Sequence, residues 1–215
     1  NISNVLAQVS ITGVLAIGMT FVIASGGIDL SVGSILSLSA IFTALCMKQN
    51  IPVWLAILVG LLSGILMGLI NGALIHFTGI NAFIITLGTS FLYRGLALIV
   101  TRGTPVSKLP AAYRAFGGGD IFQVESGVYM ALLVLLLSIP LLYKMRWGHY
   151  ITTLGGNPVA LRRCGVRTGA WRISTFAVMG FLAALAGIII SARLNSAEPN
   201  AGLNMEMDAI TAVIL

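Results

Sequence analysis

The sequence predicts an all-α protein, a polytopic bundle of transmembrane helices. Two observations carry that prediction. Hydrophobic residues make up 58% of the 215 positions and charged residues only 8%, against about a quarter charged in an ordinary soluble domain. The few charges also leave long apolar runs, close to the ~20 residues a helix needs to cross a hydrocarbon core at ~1.5 Å per residue. A mean hydropathy of +1.02 excludes a water-soluble domain, a disordered tail and a nucleic-acid-binding module together.

Residues 1–28 form the first run and residues 30–47 the second. Residues 51–93 are too long for one crossing and fold into two, with Asn71-Gly72 and Gly79-Ile80-Asn81 as punctuation. Residues 127–143 and 173–192 complete the clear spans, and the apolar tail from Ala209 begins a further one. The expectation is six spans and a truncated seventh, within one transmembrane domain, 1–215. With a start at Asn1 rather than Met, and an end inside an apolar run, the chain is expected to be a fragment of a longer protein.

Orientation follows from the basic residues. Lys144, Arg146, Arg162, Arg163, Arg167 and Arg172 are half of the 12 Lys and Arg, and the loop 144–172 that holds them has no acid. The positive-inside rule places this loop in the cytoplasm. Counting back puts 101–126 outside, the turn near Gly79 inside, Lys48-Gln49-Asn50 outside and Asn1 outside. The outer loop still carries Arg102, Lys108 and Arg114, partly offset by Asp120 and Glu125. Cys46 and Cys164 lie far apart without CxxC spacing, so neither a disulfide framework nor a zinc site is implied.

Small residues mark the packing faces. Gly60, Gly64, Gly68 and Gly72 recur every fourth position in the third span, and Ala183, Gly187 and Ser191 repeat the pattern in the sixth. Such spacing lets helix backbones approach closely in lipid, and static packing is favoured over a sliding interface.

Polar residues at membrane depth are the first functional candidates. Asp29, in Gly26-Gly27-Ile28-Asp29-Leu30-Ser31, would cost about 2.5–3.5 kcal/mol at the bilayer centre unless partnered or lining a cavity. It is suited to cap the following helix by accepting from the N–H of Ser31 or Val32; a broken helix aimed at a cavity is also how transporters build substrate sites. Thr86, Thr89, Ser90 and Tyr93 fall at i, i+3, i+4 and i+7 and form one polar stripe ending at Arg94. Hydroxyls bonded to the carbonyl one turn back, or a wetted pathway, explain the stripe equally well. Arg94 requires a polar surrounding or a snorkel to the outer edge.

Enzymatic readings fail. Gly117-Gly118-Gly119-Asp120 matches the GxGD string of intramembrane aspartyl proteases, but that chemistry needs two close carboxylates, and a surface turn is the better account. His76 and His149 lack HExxH spacing, and no GxxxxGK[ST] phosphate loop exists. The chain is expected to be no catalyst and to bind no cofactor or metal itself.

The loop 144–172 is the most informative stretch. In Gly155-Gly156-Asn157-Pro158-Val159-Ala160-Leu161-Arg162-Arg163-Cys164-Gly165, Asn157 fits an N-cap and Pro158 the first helical position. Arg162 and Arg163 fit the last turn and Gly165 the left-handed closing position. A compact two-turn helix results. It serves either as a docking knob for a cytosolic partner or as a basic loop that sets topology.

Four segments, in order along the chain, resemble the ribose/xylose/arabinose-type permeases of ABC transporters. They are Ser25-Gly26-Gly27-Ile28-Asp29-Leu30-Ser31-Val32-Gly33-Ser34; Asn81-Ala82-Phe83-Ile84-Ile85-Thr86-Leu87-Gly88-Thr89 followed by Arg94-Gly95; Gly155-Gly156-Asn157-Pro158 with Ala160, Arg162 and Gly165; and Ala192-Arg193 with Glu198-Pro199, Ala201-Gly202 and Asp208-Ala209-Ile210. The chain departs from the family pattern at Val159, where Glu is common, at Leu161, where a second Ala is usual, and at Ala82, which replaces Pro. The resemblance implies a multi-pass subunit of the bacterial inner membrane, lacking here the family's amino-terminal span and carboxyl-terminal helices. Two such subunits, homo- or heterodimeric, would form the pathway. Two cytosolic ATPase subunits, carrying ATP-Mg, would grip coupling helices, and a periplasmic binding protein would deliver a monosaccharide. On this sequence Gly156, Asn157, Pro158, Ala160, Arg162, Arg163 and Gly165 would couple to the ATPase. Span order adds Asp29, Ser31, Thr86, Thr89, Ser90, Tyr93 and Arg94 as pathway candidates, and Arg102, Lys108 and Arg114 as contacts for the binding protein. The alternatives are a related permease for branched-chain amino acids, nucleosides or a furanosyl signal molecule, or an ion-coupled secondary carrier, for which a single intramembrane carboxylate is thin support.

Overall fold

The computed structural model describes residues 2–122 and 124–215, so the expected position of Asn1 lies outside the described residues. The apolar runs fold as helices α1 (Ile2–Ala24), α2 (Val32–Lys48), α3 (Val53–Thr78), α4 (Ala82–Thr101), α5 (Ala111–Gly118), α6 (Ser126–Tyr143), α7 (Arg146–Gly156), α8 (Pro158–Arg163), α9 (Thr168–Leu194) and α10 (Met205–Ile214). The only strands among the described residues are two-residue pieces. β1 (Val106–Ser107) pairs antiparallel with β4 (Ser196–Ala197), and β2 (Asp120–Ile121) with β3 (Val124–Glu125). The chain is an all-α polytopic membrane bundle.

Among the described residues five helices, α1, α3, α4, α6 and α9, are long and apolar enough to cross a membrane. The expected second span, α2, falls short of that length yet runs from the end of the bundle near Gly26 and Gly79 to the end where Lys48 reaches the Lys108 carbonyl. α2 has 17 residues, rises only ~25 Å, and is enclosed by α3, α4 and α9. The reason is local: residues 25–31 are spent on a turn inside the bundle, where Gly26 takes φ +80°, so α2 starts late and becomes a core helix. Lipid-facing surface falls instead on helices such as α4 and α6, where Ile84, Ile99, Leu136 and Leu137 are largely exposed. In water such a surface would be a large apolar patch; in hydrocarbon it is solvated.

The expected break at Asn71-Gly72 does not occur. α3 runs through both residues and ends at Gly79, whose φ of +68° is the left-handed closure that a side chain disfavours. Asn81 then starts α4 by accepting from the Phe83 N–H at 3.0 Å. Asn71 is an intramembrane polar residue with partners, which removes the need for a turn.

α9 is the central post. Its seam with α3 uses the four-residue glycine repeat: a Cβ on Gly68 would run into the Phe176 carbonyl and one on Gly72 would meet the Ile173 Cα at 2.7 Å. Gly64 packs against Gly180, which the sequence reading passed over, while Gly60 faces Ser39 and Thr43 of α2. Gly187 of the second repeat lies against Leu36 of α2. The Gly117-Gly118-Gly119 string is likewise a packing device rather than a simple surface turn. Gly117 and Gly118 end α5 against Ile189 and Arg193 of α9. Tyr113, fully buried, fixes α5 by hydrogen bonds to Ser191 Oγ (2.7 Å) and the Ile188 carbonyl (3.2 Å), and burial pushes its phenol up, keeping the proton.

The two ends of the bundle gather the segments that span order assigns together. Gly26, Gly79, Asn81 and Arg172 line one small cavity. At the other end Lys48 reaches the Lys108 carbonyl and Arg193 pairs with Glu125 at 2.7 Å.

Candidate functional site

Asp29 is fully buried and its Oδ1 accepts from the Ser31 N–H (2.8 Å) and Ser31 Oγ (2.6 Å). This is the capping contact that the sequence suggests, set one turn ahead of α2, whose N-cap by backbone is Ser31. Ser31 Oγ in turn accepts from Asn71 Nδ2 (2.7 Å), and Tyr93 Oη donates to Asn71 Oδ1 (3.2 Å) and the Met67 carbonyl (3.1 Å). Thr86 Oγ1 accepts from the Leu30 N–H (3.1 Å) and donates to the Ala82 carbonyl (2.8 Å). Asp29, Ser31, Asn71 and Tyr93 thus form one buried hydrogen-bonded chain tying the 25–31 turn to α3 and α4, with Thr86 bracing the same turn. Asp29 Oδ2 has no hydrogen-bond partner among the described residues.

The polar stripe of α4 therefore splits. Thr86 and Tyr93 point into the packed interior, and half-buried Thr89 is bonded to the Thr86 carbonyl. Ser90 and Arg94 turn to a cavity of about 180 Å³, shared with Leu30, Ser34, Leu87, Phe91, Leu203, Glu206 and Met207. Arg94 does not snorkel. Its Nη1 donates to the Pro199 (2.6 Å) and Ala201 (2.7 Å) carbonyls.

Those carbonyls belong to a segment that turns back into the bundle. After β4 the chain passes between α2 and α4, where Ser37 Oγ donates to the Glu198 and Pro199 carbonyls, each at 2.9 Å. Ser37 lies eleven residues before Lys48, ~16 Å along α2 from its end. Gly33 and Gly202 meet backbone to backbone, Gly202 at φ +74°, so a Cβ on either would strike the other. Non-helical backbone at this depth survives only where protein or a cavity satisfies it, and here Arg94 and Ser37 supply the donors.

The basic loop 144–172 holds two helices, where one was expected. α7 is pinned by Trp147, whose indole N–H donates to Ser174 Oγ (3.0 Å) and whose ring meets Phe21 edge-on at 5.1 Å. At its end Gly155 packs against the Ala24 carbonyl and Gly26, with no room for a side chain. α8 has six residues, under two turns. Asn157 Oδ1 accepts from the Ala160 N–H (2.9 Å), Pro158 takes the first position, and Gly165 sits at φ +78°. Leu161 is buried and seats the helix, while Gly156, Asn157, Ala160, Arg162, Arg163 and Gly165 are exposed and Pro158 is half-buried. Val159 is also exposed and adds an apolar contact to the basic face.

Arg102, Lys108 and Arg114 are exposed in the segment joining α4 to α6. Arg102 (φ +53°) closes α4 and Lys108 (φ +59°) follows β1.

With this geometry in place, comparison with known proteins is decisive. Residues 1–215 match the family described as the branched-chain amino acid transport system / permease component. The chain belongs to that family. It is 39% identical to the ribose import permease protein RbsC of Haemophilus influenzae, over all of this chain and 68% of that protein. It is 36% identical to the D-allose transport system permease protein AlsC and 34% identical to the L-arabinose transport system permease protein AraH, both of Escherichia coli, over all of this chain and 66% of each. No solved structure matches it. As a member of this permease family the chain is a multi-pass inner-membrane transport component, not an enzyme.

The sequence reading missed Asn71, Ser34, Ser37, Glu206 and the 198–204 turn. Asn71 carried a signal, since a lone amide in an apolar run is expensive unless partnered. Glu198-Pro199 and Ala201-Gly202 also carried one, as helix-breaking residues between two apolar segments. Ser34 and Ser37 carried none, because serines are common in tightly packed membrane helices.

Proposed function

We propose that this chain is the permease subunit of an ATP-driven importer for a monosaccharide handed over by a binding protein. A second permease subunit would complete the pathway. The ATPase, with its ATP-Mg, would dock on α8. The observation that carries the proposal is the build of α8, a capped helix seated by Leu161 that holds Arg162 and Arg163 clear of the bundle. Agreement among the ribose, allose and arabinose relatives supports a sugar as solute.

The contacts supply a route for force. α8 continues from α7, and α7 touches α1 through Phe21 and the 25–31 turn through Gly155 and Gly26. It touches α9 through Ser174. A pull on α8 is thus delivered to the turn that carries the Asp29 chain and to the post α9, which leads into the 198–204 segment. Rigid elements repack between discrete arrangements rather than deform smoothly, and the Arg94 and Ser37 bonds are the ones such a movement would break.

One observation favours an amino acid instead. Arg94 and Glu206 line the same cavity, and a zwitterion needs both signs of charge. Uptake by the assembled transporter in proteoliposomes decides between them. ATP-dependent entry of a labelled pentose or hexose, not displaced by leucine, supports the sugar reading; leucine entry without sugar entry refutes it.

A further inference from the structure

The cavity between α2, α4 and α10 has features of a solute station. It has four polar side chains of three chemistries: the hydroxyls of Ser34 and Ser90, the guanidinium of Arg94 and the carboxylate of Glu206. Ser34 Oγ already donates to the Ser31 carbonyl (2.7 Å) and Ser90 Oγ to the Leu87 carbonyl (2.8 Å). Each hydroxyl proton is thus used, and each oxygen is left to accept. Glu206 accepts only, and Arg94 donates only. The remaining walls, Leu30, Leu87, Phe91, Leu203 and Met207, are apolar. At about 180 Å³ the space falls below the ~300–1,000 Å³ of drug-sized sites, which suits a single small ring and not a nucleoside. One wall, residues 203–207, follows directly on the turn that Arg94 holds by the Pro199 and Ala201 carbonyls. The same arginine therefore faces the cavity and latches its wall.

We infer that Ser34, Ser90, Arg94 and Glu206 form a transit subsite for one monosaccharide ring, and that the 198–204 turn is its movable wall, latched by Arg94. Glu206 and the two serine oxygens accept from the sugar hydroxyls, Arg94 donates to them, and Phe91 and Leu203 cover the C–H face. The subsite rests on the monosaccharide-permease reading. The route for force given above ends at its wall, since α9 leads through β4 into the 198–204 turn.

The test uses the assembled transporter carrying Cys46→Ala and Cys164→Ala, which remove the two thiols of residues 1–215, with Ser90→Cys added and the same complex without it as the background for labelling. Labelling of Cys at position 90 by a small methanethiosulfonate reagent is followed in lipid nanodiscs, with and without millimolar ribose, allose or arabinose. At least one of these sugars is expected to slow labelling threefold or more, while leucine does not. Replacing Arg94 with Gln is expected to speed labelling severalfold, because the wall is released, and Leu136→Cys on the exposed face of α6 is expected to respond to neither change. Protection of position 90 by none of the three sugars, when the native complex imports at least one of them, overturns the subsite alone. A native complex that imports no monosaccharide overturns the parent reading and the subsite with it. A position 90 that labels at the Leu136 rate in every condition shows that the cavity faces lipid and overturns the inference.

Discussion

Replacing Gly68 by Ala isolates the α3–α9 seam. The added Cβ would overlap the Phe176 carbonyl and come within 3.1 Å of the Ala177 Cα. Both are backbone atoms, so no rotamer change relieves the clash and the helices must part by ~1 Å. A gap of that size forfeits a quarter to a half of each dispersion contact, and each is worth ~0.1–0.2 kcal/mol. Over roughly thirty atom pairs along the Gly64, Gly68, Gly72 and Gly180 stretch the loss is ~2 kcal/mol. Residual overpacking adds ~1 kcal/mol or more, and better helix propensity returns ~1 kcal/mol. The net is a destabilisation of about 2 kcal/mol, up to ~30-fold in the folded ratio. Gly88→Ala and Gly95→Ala are the controls, since a Cβ at either meets nothing within 4 Å; both should be neutral or slightly stabilising. Thermal unfolding of the three variants in nanodiscs provides the comparison. A Gly68→Ala protein as stable as Gly88→Ala would refute the close seam.

Asn71→Leu removes the link between Ser31 and Tyr93, leaving buried polar groups unpaired. A loss of about 1–3 kcal/mol is expected, read as a lower melting temperature; Tyr93→Phe should cost less, because Asn71 keeps Ser31. Arg94→Ala removes the donor to the Pro199 and Ala201 carbonyls, so hydrogen exchange across residues 198–204 should become faster while the bundle stays folded. Gly155→Val forces α7 off Ala24 and Gly26, and the ATPase stimulation caused by loaded binding protein should fall severalfold with normal membrane insertion. For the half-buried Arg193–Glu125 pair, a double-mutant cycle on stability should give no more than about 1 kcal/mol of coupling.

Local chemistry was legible in the sequence wherever one residue type answers one backbone need. Asn157, Pro158 and Gly165 bracket α8, and Gly79 and Asn81 bracket the α3–α4 turn, at the positions their side chains predict. The glycine repeat gave the α3 seam for the same reason, since only a missing Cβ permits that approach. The reading failed where hydrophobicity looks identical in two environments. α2 is as apolar as a lipid-facing helix, yet burial against α3, α4 and α9 comes from tertiary packing that no local pattern encodes. Likewise Thr86 and Ser90, four residues apart on one stripe, diverge because the 25–31 turn sits over one and the 199–207 segment over the other. Arg94 was readable as an anomaly but not as a latch, because its partners are backbone carbonyls more than a hundred residues away.

The central claim is that solute movement is driven from outside the membrane through α8. Uptake of labelled sugar by the complete transporter in proteoliposomes, with Arg162→Glu and Arg163→Glu together, tests it most directly. Uptake should require ATP, be indifferent to a protonophore, and disappear in the double variant while the protein still inserts and the ATPase still hydrolyses nucleotide. Uptake that persists in the double variant, or that collapses with the protonophore, would contradict it.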